Sequence, residues 1–154
     1  AIQEKGGRIY DGMLVTAAEL TPEGKVIRVW SEAAARRKPH QAEQFILASG
    51  GLLGGGLTAT YSNGIQEQVF DLPVNAPKDR NLWFERQFLS DQAHPIYLSG
   101  IQVDRDLRPL DENAQICVQN LLVIGSNLAG GDFLRQRSQD GVALLSGYLA
   151  GEQV

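Results

Sequence analysis

The sequence predicts an α+β domain, strand-rich through its first half, and three observations predict it. "MLVTAAEL" and "VIRVWSEA" are β-rich runs joined by "TPEG" at Thr21 to Gly24. Pro22 fixes φ and Gly24 tolerates φ > 0, so a tight turn between antiparallel strands is expected. "QFILAS" has the length and apolarity of a buried strand, and the chain closes with "NLLVIG" followed by the helical pattern "DGVALLSGYLAG". The predicted strand covers Leu121 to Ile124 and the predicted helix Asp140 to Ala150. In that helix Gly141 stands at the start, while Gly147 and Ala150 permit close packing.

Between these anchors the chain is less regular. "EAAARRKPH" (Glu32 to His40) is helix-prone and basic until Pro39 interrupts it, and Arg36, Arg37 and Lys38 suit a solvated connection better than a phosphate patch. "GGLLGGGL" places five glycines in the seven residues from Gly50, which favours closely approached backbone over helix interior. "SNG" at Ser62 to Gly64 signals a turn before the strand-like "IQEQVFDL". "DRNLWFERQFLSD" reads as a short helix capped by Asp79 or Asn81, with Trp83, Phe84, Phe88 and Leu89 on its packed side. The stretch from His94 to Val118 alternates apolar residues in strand-like pieces broken by Gly100 and Pro109. Trp30 and Trp83 are expected core anchors.

Composition narrows the functional classes. A chain of 154 residues with 43% hydrophobic residues suits one packed domain. A net charge of −4 argues against a surface built for nucleic-acid phosphates. Cys117 is the one cysteine, which excludes an internal disulfide and a multi-cysteine metal site; in "AQICVQN" it reads as a buried strand thiol. No apolar segment approaches the ~20 residues that span a bilayer, and the chain reads as cytoplasmic.

Motifs for independent chemistry are few. His40 and His94 each adjoin a proline and read as loop residues without a second ligand at metal spacing, so no metal site is assigned. Ser49 in "ASGG" does not sit in the G-x-S-x-G elbow of hydrolases. Asp104 and Asp106 in "DRDLRP" read as a solvated, arginine-paired cluster rather than an acid–base pair. Neither a G-x-G-x-x-G nor a G-x-x-x-x-G-K-[ST] is found. Arg108 and Arg135 are candidates for anion contacts, since a guanidinium engages phosphate bidentately. No catalytic acid, base or hydride acceptor is assigned.

Two stretches carry a resemblance. "FILASGG" is similar to the "A-[ST]-G-G" turn of two-domain flavoprotein oxidoreductases, and "NLLVIG…GGD" resembles their late strand, which ends in glycine and is followed by "G-D". Taken in order, "ASGGLLGGGL", "VFDLPV", "GIQVDRDLRP", "NLLVIGSNLAGGD…R" and "GVALLSGYLAG" resemble the B-subunit family of anaerobic glycerol-3-phosphate dehydrogenase over about two-thirds of the chain. The resemblance implies part of an α/β FAD/NAD(P)-binding-type fold: β-meander and return strand over 1–56, a capping region over 57–118, and closing strand and helix over 119–154. It implies a flavin, FMN or FAD, approached by backbone N–H groups at Gly50, Gly51 and Gly125. Asp132 of the Gly131–Asp132 pair would meet ribityl hydroxyls, and the helix start at Gly141 and Val142 would face the flavin's N1–C2=O edge. Arg135 matches the family's arginine three residues after that aspartate.

The implied activity is oxidation of glycerol 3-phosphate to dihydroxyacetone phosphate, with electrons passing toward quinone. The implied partners are a catalytic A subunit and an iron–sulfur C subunit that holds the complex at the cytoplasmic membrane. "SQDG" departs from the family's glycine run: Asp140 would repel an anionic reduced flavin, and Arg137 would either offset or crowd it. Without a phosphate-binding G-x-G-x-x-G turn, the chain reads as a C-terminal fragment that holds no flavin tightly alone. A non-catalytic assembly or electron-relay scaffold, and another flavin dehydrogenase of fumarate-reductase or ketosteroid-dehydrogenase type, remain as alternatives.

Overall fold

The structure, a computed structural model, describes residues 2–34 and 36–154. Three strands form an antiparallel meander in the order β1 (Leu14–Leu20), β2 (Val26–Ala33) and β3 (Arg36–His40). The expected turn joins the first two: Thr21 N–H donates to Lys25 O at 2.8 Å, and Gly24 adopts φ +76°. A Cβ on Gly24 would strike the carbonyl oxygen of Cys117, so this glycine answers both a turn and a close approach. Mixed strand and helix content agrees with the expected fold class.

β3 corrects the helical expectation for Glu32 to His40, of which Ala35 lies outside the described residues. Pro39 pairs opposite Trp30, and β3 is an edge strand of this sheet, where a missing N–H costs no ladder bond. Arg37 lies 4.5 Å over the Trp30 ring and Arg28 5.8 Å from it. Strand pairing and cation–π stacking therefore outweigh the helix propensity of the alanines. The same stacking keeps Trp30 half-buried on the sheet surface instead of in the core.

The return strand β4 (Phe45–Leu47) pairs in parallel with β7 (Leu121–Val123), Phe45 opposite Leu121 and Leu47 opposite Val123. β7 is buried throughout, as its unbroken apolar run requires; Ile124 is half-buried just beyond it. A single helical turn, α1 (Gly51–Gly54), follows β4, so the glycine run is in part helical after all. β5 (Leu57–Thr60) and β6 (Gly64–Glu67) form the hairpin signalled by Ser62 to Gly64. β6 stops early because the buried Glu67 carboxylate accepts the N–H groups of Val69, Phe70 and Leu72 and curls the chain around itself.

The expected helix at 79–91 shrinks to a 3-10 turn, Arg80–Leu82, with Asp79 capping Asn81 N–H as expected. Trp83 is buried, and its indole N–H donates to Pro77 O. Phe84, Phe88 and Leu89 are instead exposed. His94 explains the failure: its Nδ1 accepts Glu85 N–H at 2.9 Å and its Nε2 donates to Phe88 O at 3.0 Å, loop bonds that replace a helical ladder.

Residues 94–118 are likewise not strands. Pro95–Leu98 is a 3-10 turn, and Val103–Pro109 and Leu110–Ile116 meet only as isolated bridges. Asp104 and Asp111 each accept backbone N–H groups from the following residues, folding the chain into successive turns. Cys117 accordingly sits half-buried in a bend, its S–H toward Pro109 O.

α2 (Phe133–Gln136) and α3 (Gln139–Gly151) close the chain, with α3 spanning the predicted helix. Ala150 packs with Leu107 and Leu122. Gly147, by contrast, has open space where a Cβ would stand, so it makes no close approach. The main core joins Val26, Leu47, Leu57, Trp83, Ile101 and Val123 from all parts of the chain. Among the described residues no helix is long and apolar enough to cross a membrane.

Two measurements check this packing. Glu67→Ala strands three N–H donors and should cost roughly 2–4 kcal/mol, read as a lower denaturant midpoint with an unchanged slope. Burial raises the Asp104 carboxyl, but hydrogen bonds from Arg108 and Asp106 and the Arg108 charge outweigh it, leaving the group below its ordinary value. A depressed folded value gives stability that is whole above the ordinary carboxylate range and lost as pH falls through the folded value. Asp104→Asn should therefore be less stable near neutrality and show a shallower loss below about pH 4.

Candidate functional site

β4 and β7 run side by side, so their carboxyl ends open at one place. In parallel sheets that crevice is where ligands bind. Each strand ends in backbone that favours glycine: Gly50 at φ +91° and Gly51 at +61° after β4, Gly125 at +65° after β7. Gly51 also has no room for a side chain, since a Cβ would meet the Ser126 carbonyl. The two turns predicted from the sequence thus come together.

Their N–H groups are less available than the sequence implied. Gly51 N–H donates to Asn127 Oδ1 at 2.9 Å, and Gly125 N–H to Ser146 Oγ at 3.0 Å. Ser146 in turn donates to Val142 O at 2.6 Å, tying the α3 start to the β7 turn. Gly51 is itself buried, so the side-chain-free surface at the turns comes from the half-buried Gly50 and Gly125. Gln139 Nε2 reaches Ser126 Oγ at 3.2 Å, while Gly141 lies exposed on the first turn of α3 with nothing against it.

Two hollows lie near the turns, and neither is lined by Gly51 or Gly125. A cavity of about 40 Å³ touches Gly50, Tyr97, Ser99, Ser126 and Gln139, far below the ~300 Å³ at which small-molecule sites begin. On the other side of β4, a groove of about 730 Å³ runs from Phe45 past Ser49 to Gly54–Gly56, walled by Val29 and Phe70. The ligand-sized groove starts beside the β4 turn, at Ser49 and Gly54–Gly56, and with the strand-end glycines next to it fits one wall of a flavin site.

Gly131, Asp132 and Arg135 lie elsewhere. Asp132 is buried, accepts Arg135 N–H at 3.2 Å as the cap of α2, and faces a separate hollow with Gln92, Leu98 and Arg135. Its carboxylate stands 4.0 Å from the half-exposed Arg135 guanidinium. Arg108 is farther from service to an anion: Asp104 at 2.7 Å and Asp106 at 3.1 Å already flank it. That arrangement is the paired cluster expected for "DRDLRP".

The other candidates have structural occupations. Burial pushes the Cys117 thiol up, away from thiolate reactivity. His40 is on β3, not in a loop, and Nε2 shares a 2.7 Å hydrogen bond with the buried Ser31. Ser49 Oγ donates to Asn127 Oδ1 at 3.1 Å. No group of three metal-ligating residues occurs among the described residues. Sequence reasoning missed Asn120 and Asn127, because a polar residue at each end of an apolar strand reads as ordinary loop chemistry.

Comparison with known proteins agrees with this architecture. Residues 1–140 match the family model described as FAD binding domain, and the chain belongs to that family. Within it, the chain is 33% identical over 151 residues to a Halobacterium salinarum protein named as the probable B subunit of anaerobic glycerol-3-phosphate dehydrogenase, covering 98% of this chain and 34% of the relative. It is 31% identical over 153 residues to the Vibrio cholerae B subunit of that enzyme, covering 99% of this chain and 33% of the relative. The Yersinia pestis B subunit is 32% identical over 152 residues, with 99% and 34% covered. The chain thus spans about a third of the length of these relatives. No solved structure matches it.

The glycines separate into two classes that substitution should reveal. Gly51→Ala combines left-handed backbone strain with a clash against Ser126 and should cost roughly 2–4 kcal/mol. Gly147→Ala, in open space on a helix, should stabilise by about 0.5–1 kcal/mol. Thermal or denaturant unfolding reads both, and equal effects would contradict the assigned packing.

Proposed function

We propose that the intact protein is the flavin-dependent B subunit of an anaerobic, quinone-linked glycerol-3-phosphate dehydrogenase. The observation that carries this reading is the convergence of two glycine turns at the carboxyl ends of β4 and β7 in an FAD-binding-family chain. The names of the similar proteins supply the substrate class. A bound flavin, FAD or FMN, would supply the capacity to accept the two electrons lost when glycerol 3-phosphate becomes dihydroxyacetone phosphate.

This chain's residues would hold and shape that group. Gly50 and Gly125 would let the wall lie flat against it, with the buried Gly51 fixing the turn behind them. Gly131–Asp132 would offer an acceptor to ribityl hydroxyls, and Arg135, half free of Asp132, a cation to a phosphate. The start of α3 at Gly141 and Val142 would bring its positive end toward the flavin, with Asp140 opposing that field. Substrate oxidation belongs to a partner A subunit in this reading, and an iron–sulfur C subunit takes the electrons at the cytoplasmic membrane. The enzyme complex would then be cytoplasmic and peripheral, held to the membrane by its partners.

A second reading is a scaffold subunit without flavin. The observation that favours it is the internal use of the Gly51 and Gly125 N–H groups, which leaves the turns satisfied without a ligand.

One substitution separates the two. Asp132→Asn keeps the α2 cap, since asparagine caps about as well as aspartate, but removes the charge. In the flavin reading it weakens a charge-assisted hydrogen bond by roughly 1.5–3 kcal/mol, about a 10- to 150-fold loss of flavin affinity with stability unchanged. Flavin content of the purified complex, measured by absorbance, checks it. A flavin-loaded wild type with an unaltered variant would remove Asp132 from the site, and a flavin-free complex would favour the scaffold. The isolated 154-residue chain, supplying one wall, should show no saturable flavin binding at micromolar concentration.

A further inference from the structure

We infer that Asn127 is the positioning residue that sets the spacing of the two glycine turns, and so the affinity of the wall they form. The inference rests on the flavin reading of that wall. Asn127 lies immediately after the β7 turn, with no exposed surface. Its Oδ1 accepts from Gly51 N–H at 2.9 Å and from Ser49 Oγ at 3.1 Å, both on the β4 turn. Its Nδ2 donates to Leu47 O at 3.3 Å, at the end of β4, and to Ile124 O at 3.4 Å, just beyond β7. Its own carbonyl accepts Ile101 N–H at 2.7 Å.

The chemistry is specific to a carboxamide. Two donors face one side-chain atom and two carbonyl acceptors face the other, so the side chain must present an acceptor and a donor in one plane. Reversing the amide would set NH₂ against the Gly51 N–H. Aspartate supplies the acceptor but, when ionised, confronts two carbonyls without a proton. Aliphatic residues leave the buried Gly51 N–H without its acceptor and remove the donors to Leu47 O and Ile124 O, of which Leu47 O keeps only the Ile124 N–H. The partners that face Asn127 are all uncharged, so nothing offsets a charge placed there. All but the Ile101 bond lie between the two turns and the strands that lead into them. Asn127 therefore controls where the turns stand relative to each other, without touching the groove itself.

A second buried asparagine provides the control. Asn120 sits at the opposite end of β7, where Oδ1 accepts Val26 N–H at 2.7 Å and Nδ2 donates to Val26 O and Glu43 O, each at 3.0 Å. It is the same chemistry, far from the glycine turns. Asn120→Asp and Asn127→Asp should both lower stability, but only Asn127→Asp should lose flavin.

The test measures flavin bound per folded protein in the intact complex, by absorbance and fluorescence, across pH 5.5 to 8. At pH 8, Asn127→Asp is expected to bind flavin at least tenfold more weakly than wild type, and Asn120→Asp within threefold of it. Lowering the pH should recover much of the binding in Asn127→Asp relative to wild type, because a protonated carboxyl presents the acceptor and one of the amide's two donors. A merely structural role would not give that recovery. Should Asn127→Asp fail to fold, Ser49→Ala removes one of the five bonds and should weaken flavin binding severalfold. Wild-type-like binding in the Asn127→Asp protein, or in the Ser49→Ala protein where the first does not fold, overturns the inference while leaving the flavin reading intact. Equal loss in Asn120→Asp and Asn127→Asp also overturns it. A flavin-free wild type overturns the flavin reading and the inference together.

Discussion

The parallel contact between β4 and β7 is the constraint on which the rest depends. It is three residues long on each strand, too short to hold by its own ladder bonds, yet it joins segments more than seventy residues apart. Buried asparagines secure both ends. Asn120 ties the start of β7 to the meander and to the chain entering β4; Asn127 ties its far end to the turn leaving β4. Between them lie Leu121, Leu122 and Val123, at most 1% exposed. Burial supplies the driving force, and the amides choose the register, since a slip would leave their paired donors and acceptors stranded without water.

The same geometry produces the candidate site. Parallel strands deliver their carboxyl ends together, and the chain must turn sharply at each without a side chain in the way. Gly51 shows how tight that requirement is, with the Ser126 carbonyl where a Cβ would stand. The internal hydrogen bonds of Gly51 and Gly125 mean that the turns are built before any ligand arrives. Preorganisation of this kind lowers the ordering cost of binding. Asp132, with Gly130 and Arg135, lines a separate hollow, so the flavin-type motif divides between two surfaces.

What the sequence disclosed follows from the range of the interactions involved. The "TPEG" hairpin, the "SNG" turn with the start of the strand after it, and the closing strand and helix rest on local turn chemistry and periodicity, and they are legible. Arg36–His40 was illegible because a stack on Trp30 and an edge position overrule alanine's preference. Residues 79–91 failed as a helix because His94, beyond the segment's end, captures its backbone. β6 ends at a carboxylate whose three partners follow it in the chain, a pattern that alternation does not reveal. In the site, the glycines were visible because only glycine adopts those angles at little cost. Asn127 was invisible because its partners lie some eighty positions away. α3 shows a further limit. Its pattern gives a helix correctly, but Leu144, Leu145 and Tyr148 face outward, and only Ser146 and Ala150 are buried.

The central claim is that the Gly50–Gly51 and Gly125 turns form one wall of a flavin site. A structure of the intact complex purified with its flavin tests it most directly. The flavin is expected within about 4 Å of the backbone of both turns, in ordinary van der Waals contact. A flavin bound elsewhere, with both turns packed against protein, would contradict it.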